Sequence, residues 1–431
     1  MTALLFVAGI LVMLVGLALS IALHEIGHIV PAKAFGVRVG QYMIGFGPTL
    51  FSKRVGETEY GVKALPLGGF ISIAGMYPPS PAEGSRRQRI GASLVQEARA
   101  ANDETIEGED DERVLYRQAT WKRIVVMLGG PFMNLVLAAG LFSILFSGIG
   151  LPQHTTTVAS VSECVVAADS EQTSCGADDP ASPAAAAGLR PGDRILEVDG
   201  DAVSTFDEAS AIIRERPGQP VPVVVERDGS ELSLTVTPVL AVNEYTDAEG
   251  ERVTGEVGFV GFTPTVERVR QPLGSGIAAT GENIAAVAGI VVELPVRLYD
   301  TAVDLFTGGD RDPDGPISVI GVGRIAGEVA ATEAPLIDRV AVIVSLLGSL
   351  NIALMVFNLI PLLPLDGGHV AVALWDGLKR LLARVTGRPR PAPADATRLV
   401  PLTLVVVVLM IGMAGLLFAA DIFNPVDLFG G

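Results

Sequence analysis

Residues 2–23 contain no charged side chain, and this apolar run leads directly into His24-Glu25-Ile26-Gly27-His28. A helix through this stretch is long enough to cross a bilayer, which needs about 20 apolar residues. The two histidines lie one turn apart on the same face of that helix, where they can bind one Zn²⁺ with Glu25 beside them as a general base. Ionisable residues in membrane-spanning segments are costly and usually functional. A polar helix end at the membrane surface is therefore the weaker interpretation.

Three further runs carry no charge and have a similar length, namely residues 124–147, 340–363 and 399–420. The first run lacks a basic amino-terminal region and has no small-residue cleavage site before the histidines, so we interpret it as a retained span and not as a signal peptide. The sequence therefore predicts a polytopic α-helical membrane protein with four transmembrane helices.

Lysine and arginine are unevenly distributed between the connecting segments. Residues 36–123 carry twelve of them and residues 364–398 carry six, whereas residues 151–335 carry eleven arginines, no lysine and thirty acidic residues, a net charge of −19. Because positive loops remain inside, the first two segments should be cytoplasmic and the acidic one extracytoplasmic, in a multi-pass protein of the cell membrane. An acidic balance gives no support to nucleic-acid binding.

Both cysteines, Cys164 and Cys175, fall in the acidic segment. On the oxidising side of a membrane a disulfide is favoured over a metal site, which would need more ligands nearby.

The cytoplasmic segment after the first span has two parts. Residues 35–76 alternate apolar and polar side chains with frequent glycines, which predicts membrane-associated β-hairpins. These are either plain hairpins or a sheet edge that pairs with an extended substrate strand, and the spacing does not decide between the two. Residues 77–118 are rich in proline and charge, which predicts a flexible insertion.

Residues 155–268 are predicted to form an extracytoplasmic α+β domain. The stretch SPAAAAGLRPGDRILEVDGDAV (182–203), a helical pattern at 206–216 and two alternating strands resemble a bacterial PDZ domain. The stretch 255–264 would add its closing strand. PDZ domains bind extended peptide ends by adding them to a sheet edge.

Residues 270–335 contain an apolar stretch that we interpret as an amphipathic helix on the outer membrane surface. Glu282, Asn283 and Glu293 interrupt it. In addition, a further crossing would move Asp366 to the face of the membrane opposite the histidines.

A catalytic zinc site usually has three protein ligands, and HEIGH supplies two. The stretch NLIPLLPLDGGH (358–369) places Asp366 between two prolines and two glycines, which predicts a broken, cavity-lining segment. Asp366 is the first candidate for the third ligand and His369 the second; capping of the following helix is the alternative role for Asp366. Asn134, inside the second span, is expected to make an interhelical hydrogen bond rather than to act in chemistry.

Together these two motifs resemble the site-2 protease family of intramembrane metalloproteases, whose pattern is HExxH followed by NxxPxxxLDGG. The Gly130-Pro131-x-x-Asn134 element and Gly315-Pro316-Ile317-Ser318 fit the same family. Within the family the chain resembles bacterial RseP-like members with a PDZ domain. It departs from some relatives in showing one recognisable PDZ domain and in its charged insertion, which leaves the rules of substrate selection open.

The resemblance implies that His24, His28 and Asp366 bind one Zn²⁺, that Glu25 acts as general base and then acid, and that Asn358 contacts the substrate backbone or the developing oxyanion. It implies a zinc-dependent intramembrane endopeptidase with its active site near the cytoplasmic face. Expected substrates are single-pass membrane proteins already cut outside the membrane, such as anti-sigma factors or signal-peptide remnants. The PDZ domain would act as a size filter or bind the newly exposed peptide end.

Two rival hypotheses are an HExxH membrane protease of another family, which would need a downstream intramembrane glutamate, and a non-catalytic PDZ-bearing membrane adaptor, which would not need Glu25. The predicted organisation is as follows: transmembrane helix 1 with HExxH (1–35), β-rich cytoplasmic loop and insertion (36–122), transmembrane helix 2 (123–150), PDZ-like domain (155–268), surface segment (270–335), transmembrane helix 3 with LDGG (338–376), cytoplasmic loop (377–398) and transmembrane helix 4 (399–421).

Overall fold

The computed structural model describes residues 2–79, 99–100, 102–107, 111–165, 175, 180–246, 252–309, 311–312, 315–389, 391–394 and 396–426. Contacts divide the chain into two compact units. The membrane unit comprises residues 1–149 and 272–431, and the insert unit comprises residues 150–271.

Helices and strands are numbered in chain order. The helices are α1 (Thr2–Ala34), α2 (Thr120–Ser143), α3 (Pro183–Ala186), α4 (Phe206–Arg214), α5 (Ser275–Thr307), α6 (Val319–Ala331), α7 (Leu336–Asn358), α8 (Asp366–Val385) and α9 (Val400–Phe423). The strands are β1 (Val39–Val55), β2 (Thr58–Ile73), β3 (Leu151–Val161), β4 (Arg194–Val198), β5 (Asp201–Ala202), β6 (Val221–Arg227), β7 (Ser230–Val236), β8 (Val239–Thr246), β9 (Arg252–Phe259) and β10 (Phe262–Val269).

Five helices among the described residues are long and apolar enough to cross a membrane: α1, α2 with its extension to Ile149, α5, α7, and α9 with the turn before it. The number of four predicted from the sequence is therefore not confirmed. The additional helix is α5, whose 33 residues span about 50 Å at 1.5 Å per residue. Glu282 and Glu293 lie within this continuous helix, which contains five charged residues and still has a stretch apolar enough to cross a membrane.

Three helices form the centre of the membrane unit. Asn351 of α7 donates to Ser20 of α1 (3.0 Å), and Leu347 lies against Gly16, so α1 and α7 run parallel. Helix α2 runs antiparallel to both and crosses α1 closely at Gly129. A Cβ on that glycine would collide with the Gly27 carbonyl, so the two backbones meet only because side chains are missing.

The segment after α1 forms the antiparallel sheet β1–β2. Residues 39–44 pair with 69–73 on one side and with 59–62 on the other, and residues 51–55 continue the sheet beyond 58–62. The strand at 69–73 is therefore one edge of the sheet. The β-rich character predicted from the alternating pattern is present.

Part of the charged insertion is packed against this sheet, which corrects the prediction of a flexible segment for residues 102–107 and 111–118. Val114 is fully buried beside Ala74. Arg38, directly before β1, donates to Asp111 (2.9 Å), and the Asn102 amide bonds both main-chain groups of Tyr77 at 3.0 Å. Contacts with distant residues stabilise a segment whose own composition is too polar to fold. Residues 80–98, 101 and 108–110 of the insertion lie outside the described part.

The insert unit contains an antiparallel sheet with strand order β10-β3-β4-β6-β7, to which β5 pairs through β4, and a separate hairpin β8–β9. Helix α4 begins at Thr205 with a capping box, and it matches the helix predicted at 206–216. The core contains fully buried residues: Val158, Val198, Ala209 and Val225. Arg227 donates to Asp193 (2.7 Å) and holds the pKa of that carboxyl below its usual range. Cys164 and Cys175 form the disulfide that their position favours.

Candidate metal centre

Helix α1 presents His24 and His28 to the first residue of α8, Asp366. The Nε2 atoms of the two histidines are 3.2 Å apart, and Oδ2 of Asp366 lies 3.3 Å from each. Ligand atoms of all three residues lie within 4.8 Å of one another. Both imidazoles are buried. The structure thus brings together the three residues that the two sequence motifs single out.

The other ring nitrogens of the histidines are held by α2. Nδ1 of His28 lies 2.8 Å from the Val126 carbonyl, which fixes the proton on Nδ1 and leaves Nε2 available. Nδ1 of His24 lies 3.1 Å from the Asn134 amide. The amide atom nearest this nitrogen is Nδ2. If Nε2 of His24 bound a metal, Nδ1 would carry the proton, and Oδ1 of Asn134 would accept it once the amide is turned over. Oδ1 has no hydrogen-bond partner among the described residues.

The donor set fits a zinc ion on two structural grounds. Oδ2 of Asp366 is buried and has no hydrogen-bond partner among the described residues, although it faces two imidazole nitrogens. A buried carboxylate oxygen in that position is costly unless a cation satisfies it. Gly130 also leaves the necessary space, since a Cβ there would collide with Nε2 of both histidines. Two imidazoles and one carboxylate are ligands that zinc takes in catalytic sites while keeping a position for water.

The chain before α8 folds tightly enough to aim Asp366 at the histidines. Cβ atoms at Gly367 and Gly368 would collide with the backbone of residues 359–363, so the two glycines allow the first turn of α8 to pack on that segment. Leu365 occupies the N-cap position and no side chain caps the helix. Asp366 therefore does not take the capping role that was its alternative interpretation.

A cavity of about 510 Å³ opens beside the three residues. Glu25, Asn358 and His369 line it, and so do residues 68–71 of the sheet edge. The Asn358 amide donates to the Leu354 carbonyl of its own helix (3.0 Å). His369 stacks on Tyr77 with ring centroids 5.9 Å apart, and it does not join the metal-ligand cluster found among the described residues.

The sequence did not identify the partner of Asn134 or the place of Val319 in the site. Asn134 was expected to make an interhelical hydrogen bond, but its partner could not be named, and the structure shows that this partner is His24. Val319, at the start of α6, also lines the cavity. The signal for Asn134 was its spacing after Gly129 and Gly130, which bring α2 against α1. No sequence signal pointed to Val319.

An HExxH helix completed by an aspartate from a later helix, inside a bundle of helices apolar enough to cross a membrane, defines a membrane-embedded metal-dependent hydrolase. Residues 12–391 match the model of peptidase family M50. The chain is 36% identical to zinc metalloprotease Rip1 of Mycobacterium tuberculosis over 98% of this chain and 99% of the relative. It is 32% identical to Rip1 of Mycolicibacterium smegmatis over 98% and 99%, and 30% identical to metalloprotease MmpA of Caulobacter vibrioides over 86% and 88%.

The chain belongs to peptidase family M50, the site-2 protease family. It is a multi-pass membrane zinc metalloprotease, and the resemblance seen in the two sequence motifs is confirmed. A non-catalytic adaptor is not supported.

Proposed function

We propose that His24, His28 and Asp366 hold the zinc ion, that Glu25 is the general base and that Asn358 binds the substrate backbone. The observation that carries this assignment is the convergence of three ligand atoms within 4.8 Å of one another, in a cavity that Glu25 and Asn358 also line. A bound Zn²⁺ acidifies water and polarises a carbonyl group. Asn134 and the Val126 carbonyl keep both imidazoles turned with Nε2 toward Asp366, where the three residues would hold the ion.

Glu25 performs the proton transfers. Its carboxylate accepts a proton from the attacking water and then delivers that proton to the leaving amide nitrogen. The Asn358 amide releases its hydrogen bond to Leu354 and donates to the substrate carbonyl as negative charge develops there. The buried surroundings strengthen both interactions, because the effective dielectric constant in a protein interior is low.

The substrate segment is held in an extended conformation beside the metal. A helix hides its amides in its own hydrogen bonds, so a transmembrane segment must unwind before attack. Among the described residues no strand pairs with the outer edge of residues 69–73, and residues 68–71 line the cavity. An unwound segment adds to this edge as a further strand.

The substrates are single-pass membrane proteins that another protease has already cut outside the membrane, with anti-sigma factors and signal-peptide remnants as expected examples. The insert unit acts as a PDZ domain that binds the new peptide end or excludes bulky ones. A groove of about 520 Å³ that is lined by α4, the end of β9 and Phe262 of β10 supports this role. Phe206 and Phe262 meet there with ring centroids 5.7 Å apart, so the groove favours apolar peptide side chains.

The chain crosses the membrane four times, with the metal near the cytoplasmic face and the insert unit outside. The parallel directions of α1 and α7 support this topology, since residues 150–335 must then begin and end on the same side. A single crossing by α5 would break that condition. Helix α5 therefore lies on the outer surface, in agreement with the charges of residues 151–335.

The test is cleavage of purified single-span proteins by the reconstituted enzyme, each supplied with an intact or a trimmed external domain. Glu25→Gln should abolish cleavage and leave zinc content and substrate binding unchanged. Glu231→Gln, on an exposed strand position of the insert unit, is the matched control and should cleave normally. Survival of cleavage in Glu25→Gln would contradict the catalytic assignment. Equal cleavage of intact and trimmed substrates would contradict the proposed role of the insert unit.

A further inference from the structure

His369 is a polar side chain of the metal cavity that the proposed reaction does not use. Seven polar side chains among the described residues line this cavity. Three are the candidate zinc ligands, Glu25 is the proposed base, Asn134 bonds one of the ligands and Asn358 is assigned to the substrate. His369 is the seventh. It lies three residues after Asp366 on α8, so one helix face carries both side chains.

The imidazole of His369 has no hydrogen-bond partner among the described residues. Its ring nitrogens also keep accessible surface, because neither is among the fully buried polar atoms that lack a partner. A histidine with a purely structural role would bond a neighbour, and His369 does not belong to the metal-ligand cluster found in the described part of the chain. A neutral imidazole carries one N–H donor. The cavity therefore contains an unused donor one helical turn from Asp366.

The ring of His369 is held in place by stacking. It lies on Tyr77 with ring centroids 5.9 Å apart and ring planes 25° apart. The buried side chain of Asn102 holds Tyr77 in turn, because its amide bonds the main-chain N–H and the main-chain carbonyl of Tyr77 at 3.0 Å each. A side chain that is already held loses little conformational freedom when it binds a ligand. His369 is thus pre-organised to bind a group that enters the cavity.

A substrate strand in this cavity needs hydrogen-bond donors along both of its edges. Neighbouring peptide groups of an extended chain point to opposite edges, so the strand at 69–73 bonds only the groups on one edge. The groups on the other edge face a cavity whose lining residues are mostly apolar, where an unbonded carbonyl is costly. Carbonyls on one edge recur about every 7 Å. The Asn358 amide can meet only one of them, and a second donor is needed.

We propose that His369 donates its imidazole N–H to a main-chain carbonyl of the substrate, on the edge that does not pair with residues 69–73. This inference rests on the proposed function. With the sheet on one edge and Asn358 and His369 on the other, the substrate main chain has a single register relative to Asp366. His369 therefore contributes to substrate affinity and leaves the proton transfers to Glu25.

The probe is the single-span protein that the reconstituted enzyme cleaves fastest, labelled with a fluorophore. Its dissociation constant is measured by fluorescence anisotropy with the full-length Glu25→Gln protein, which should bind the probe without cleaving it. His369→Phe keeps a ring for the stack on Tyr77 and removes the N–H. In the Glu25→Gln background it should raise the dissociation constant roughly tenfold, the effect of one lost hydrogen bond. His369→Gln keeps a side-chain N–H and should recover part of the affinity.

Trp375→Phe is the matched control. It also replaces one ring of α8 by another and removes a ring N–H, but Trp375 is 56% exposed and does not line the metal cavity. It should leave the dissociation constant unchanged. In the protein that retains Glu25, His369→Phe should raise KM and leave kcat nearly unchanged, the pattern of a lost binding interaction. A zinc content of about one ion per chain shows that the metal site of each variant is intact.

An unchanged dissociation constant in His369→Phe would overturn the proposal. Loss of zinc together with substrate affinity would overturn it as well, because His369 would then belong to the metal centre. Failure of the proposed function gives a different result. Cleavage by Glu25→Gln itself would refute the general base, whereas the comparison of dissociation constants still decides the role of His369.

Discussion

Asn134 is the clearest case of a single side chain that prepares the metal site. It lies on α2, it is fully buried, and its amide meets His24 at Nδ1 (3.1 Å). A histidine that binds a metal through one nitrogen is oriented by the hydrogen bond of the other. Asn134 therefore acts through His24, as a positioning residue rather than a catalytic one.

Asn134→Ala should weaken zinc binding by about 10–100-fold, the usual cost of losing such an outer partner. The measurement is a competition titration of the purified protein against a zinc chelator. Asn351→Ala is the matched control, because Asn351 is also a fully buried asparagine that bonds α1, but at Ser20. Equal zinc affinities in the two variants would show that Asn134 has only a packing role.

Replacing Gly130 tests whether the metal site needs the free space beside the two imidazoles. A Cβ at this position would collide with Nε2 of both histidines, so Gly130→Ala should displace the imidazoles and reduce the rate of substrate cleavage at least about 100-fold, as misplacements of about 1 Å do. Gly140→Ala on the same helix meets no atom within 4 Å and should cleave at the normal rate. Normal cleavage by Gly130→Ala would mean that the ion does not lie between the two histidines.

At the scale of elements, the strand at 69–73 places one edge of the sheet beside α1, the helix that carries His24, Glu25 and His28. It pairs with residues 39–44 on one side, and a Cβ at Gly69 would lie 3.3 Å from Cγ of Glu25. The main chain of this edge is thus next to the proposed general base. An extended substrate paired there would present successive peptide bonds to the ion.

Proline at Phe70 and at Ile71, in separate variants, tests this pairing. Neighbouring amides of a strand point to opposite edges, so one variant loses a substrate hydrogen bond and the other a bond to β1. The variant that loses the substrate hydrogen bond should cleave roughly tenfold more slowly, because such a bond is worth up to about 1.5 kcal/mol. Its membrane insertion and protein yield should be unchanged. Lys53→Pro, in the opposite edge strand, is the control. If both variants cleave as Lys53→Pro does, substrate pairing at this edge is wrong.

Local patterns predicted the elements whose own residues determine them. Helix α4 and strands β6 and β7 follow their periodicity, and the apolar runs became α1, α2, α7 and α9. The segments that differ depend on partners far away in sequence. Residues 111–118 are ordered because they bond to Arg38 and pack against Ala74. Amino-acid composition cannot predict these contacts, since they join residues that are far apart in the sequence. Helix α5 was predicted as an amphipathic surface helix because Glu282, Asn283 and Glu293 interrupt its apolar run, and the structure shows a continuous 33-residue helix with a stretch apolar enough to cross a membrane.

For the site itself, the sequence named His24, His28 and Asp366 as one set because the chemistry of zinc requires a third ligand and two motifs offered it. It could not show that Asn134 and Val126 orient the imidazoles, since those contacts depend on the crossing of α1 and α2 at two glycines. The role of Asn358 stays a prediction, because its amide bonds its own helix in the structure.

At the scale of the whole molecule, the metal site requires that α1, α2, α7 and α8 meet, and the directions of these helices set the topology. Because α1 and α7 are parallel, both ends of α5 should lie on the outer side of the membrane. Cysteines introduced at Leu273 and Phe306, which are 85% exposed, should therefore both react with an impermeant maleimide added to intact cells. Lys63→Cys, in the β1–β2 sheet that the proposed topology puts on the cytoplasmic side, should react only after permeabilisation. Labelling of positions 273 and 306 from opposite sides would contradict the four-crossing topology.

The most direct test of the account is the zinc content of the purified protein when each candidate for the third ligand is replaced in turn. Asp366 lies 3.3 Å from both histidines, whereas His369 only lines the neighbouring cavity. Asp366→Asn should therefore lose zinc and cleavage together, while His369→Asn should retain about one zinc ion per chain, the stoichiometry of a mononuclear site. Full zinc in Asp366→Asn, or its loss in His369→Asn alone, would contradict the proposed metal centre.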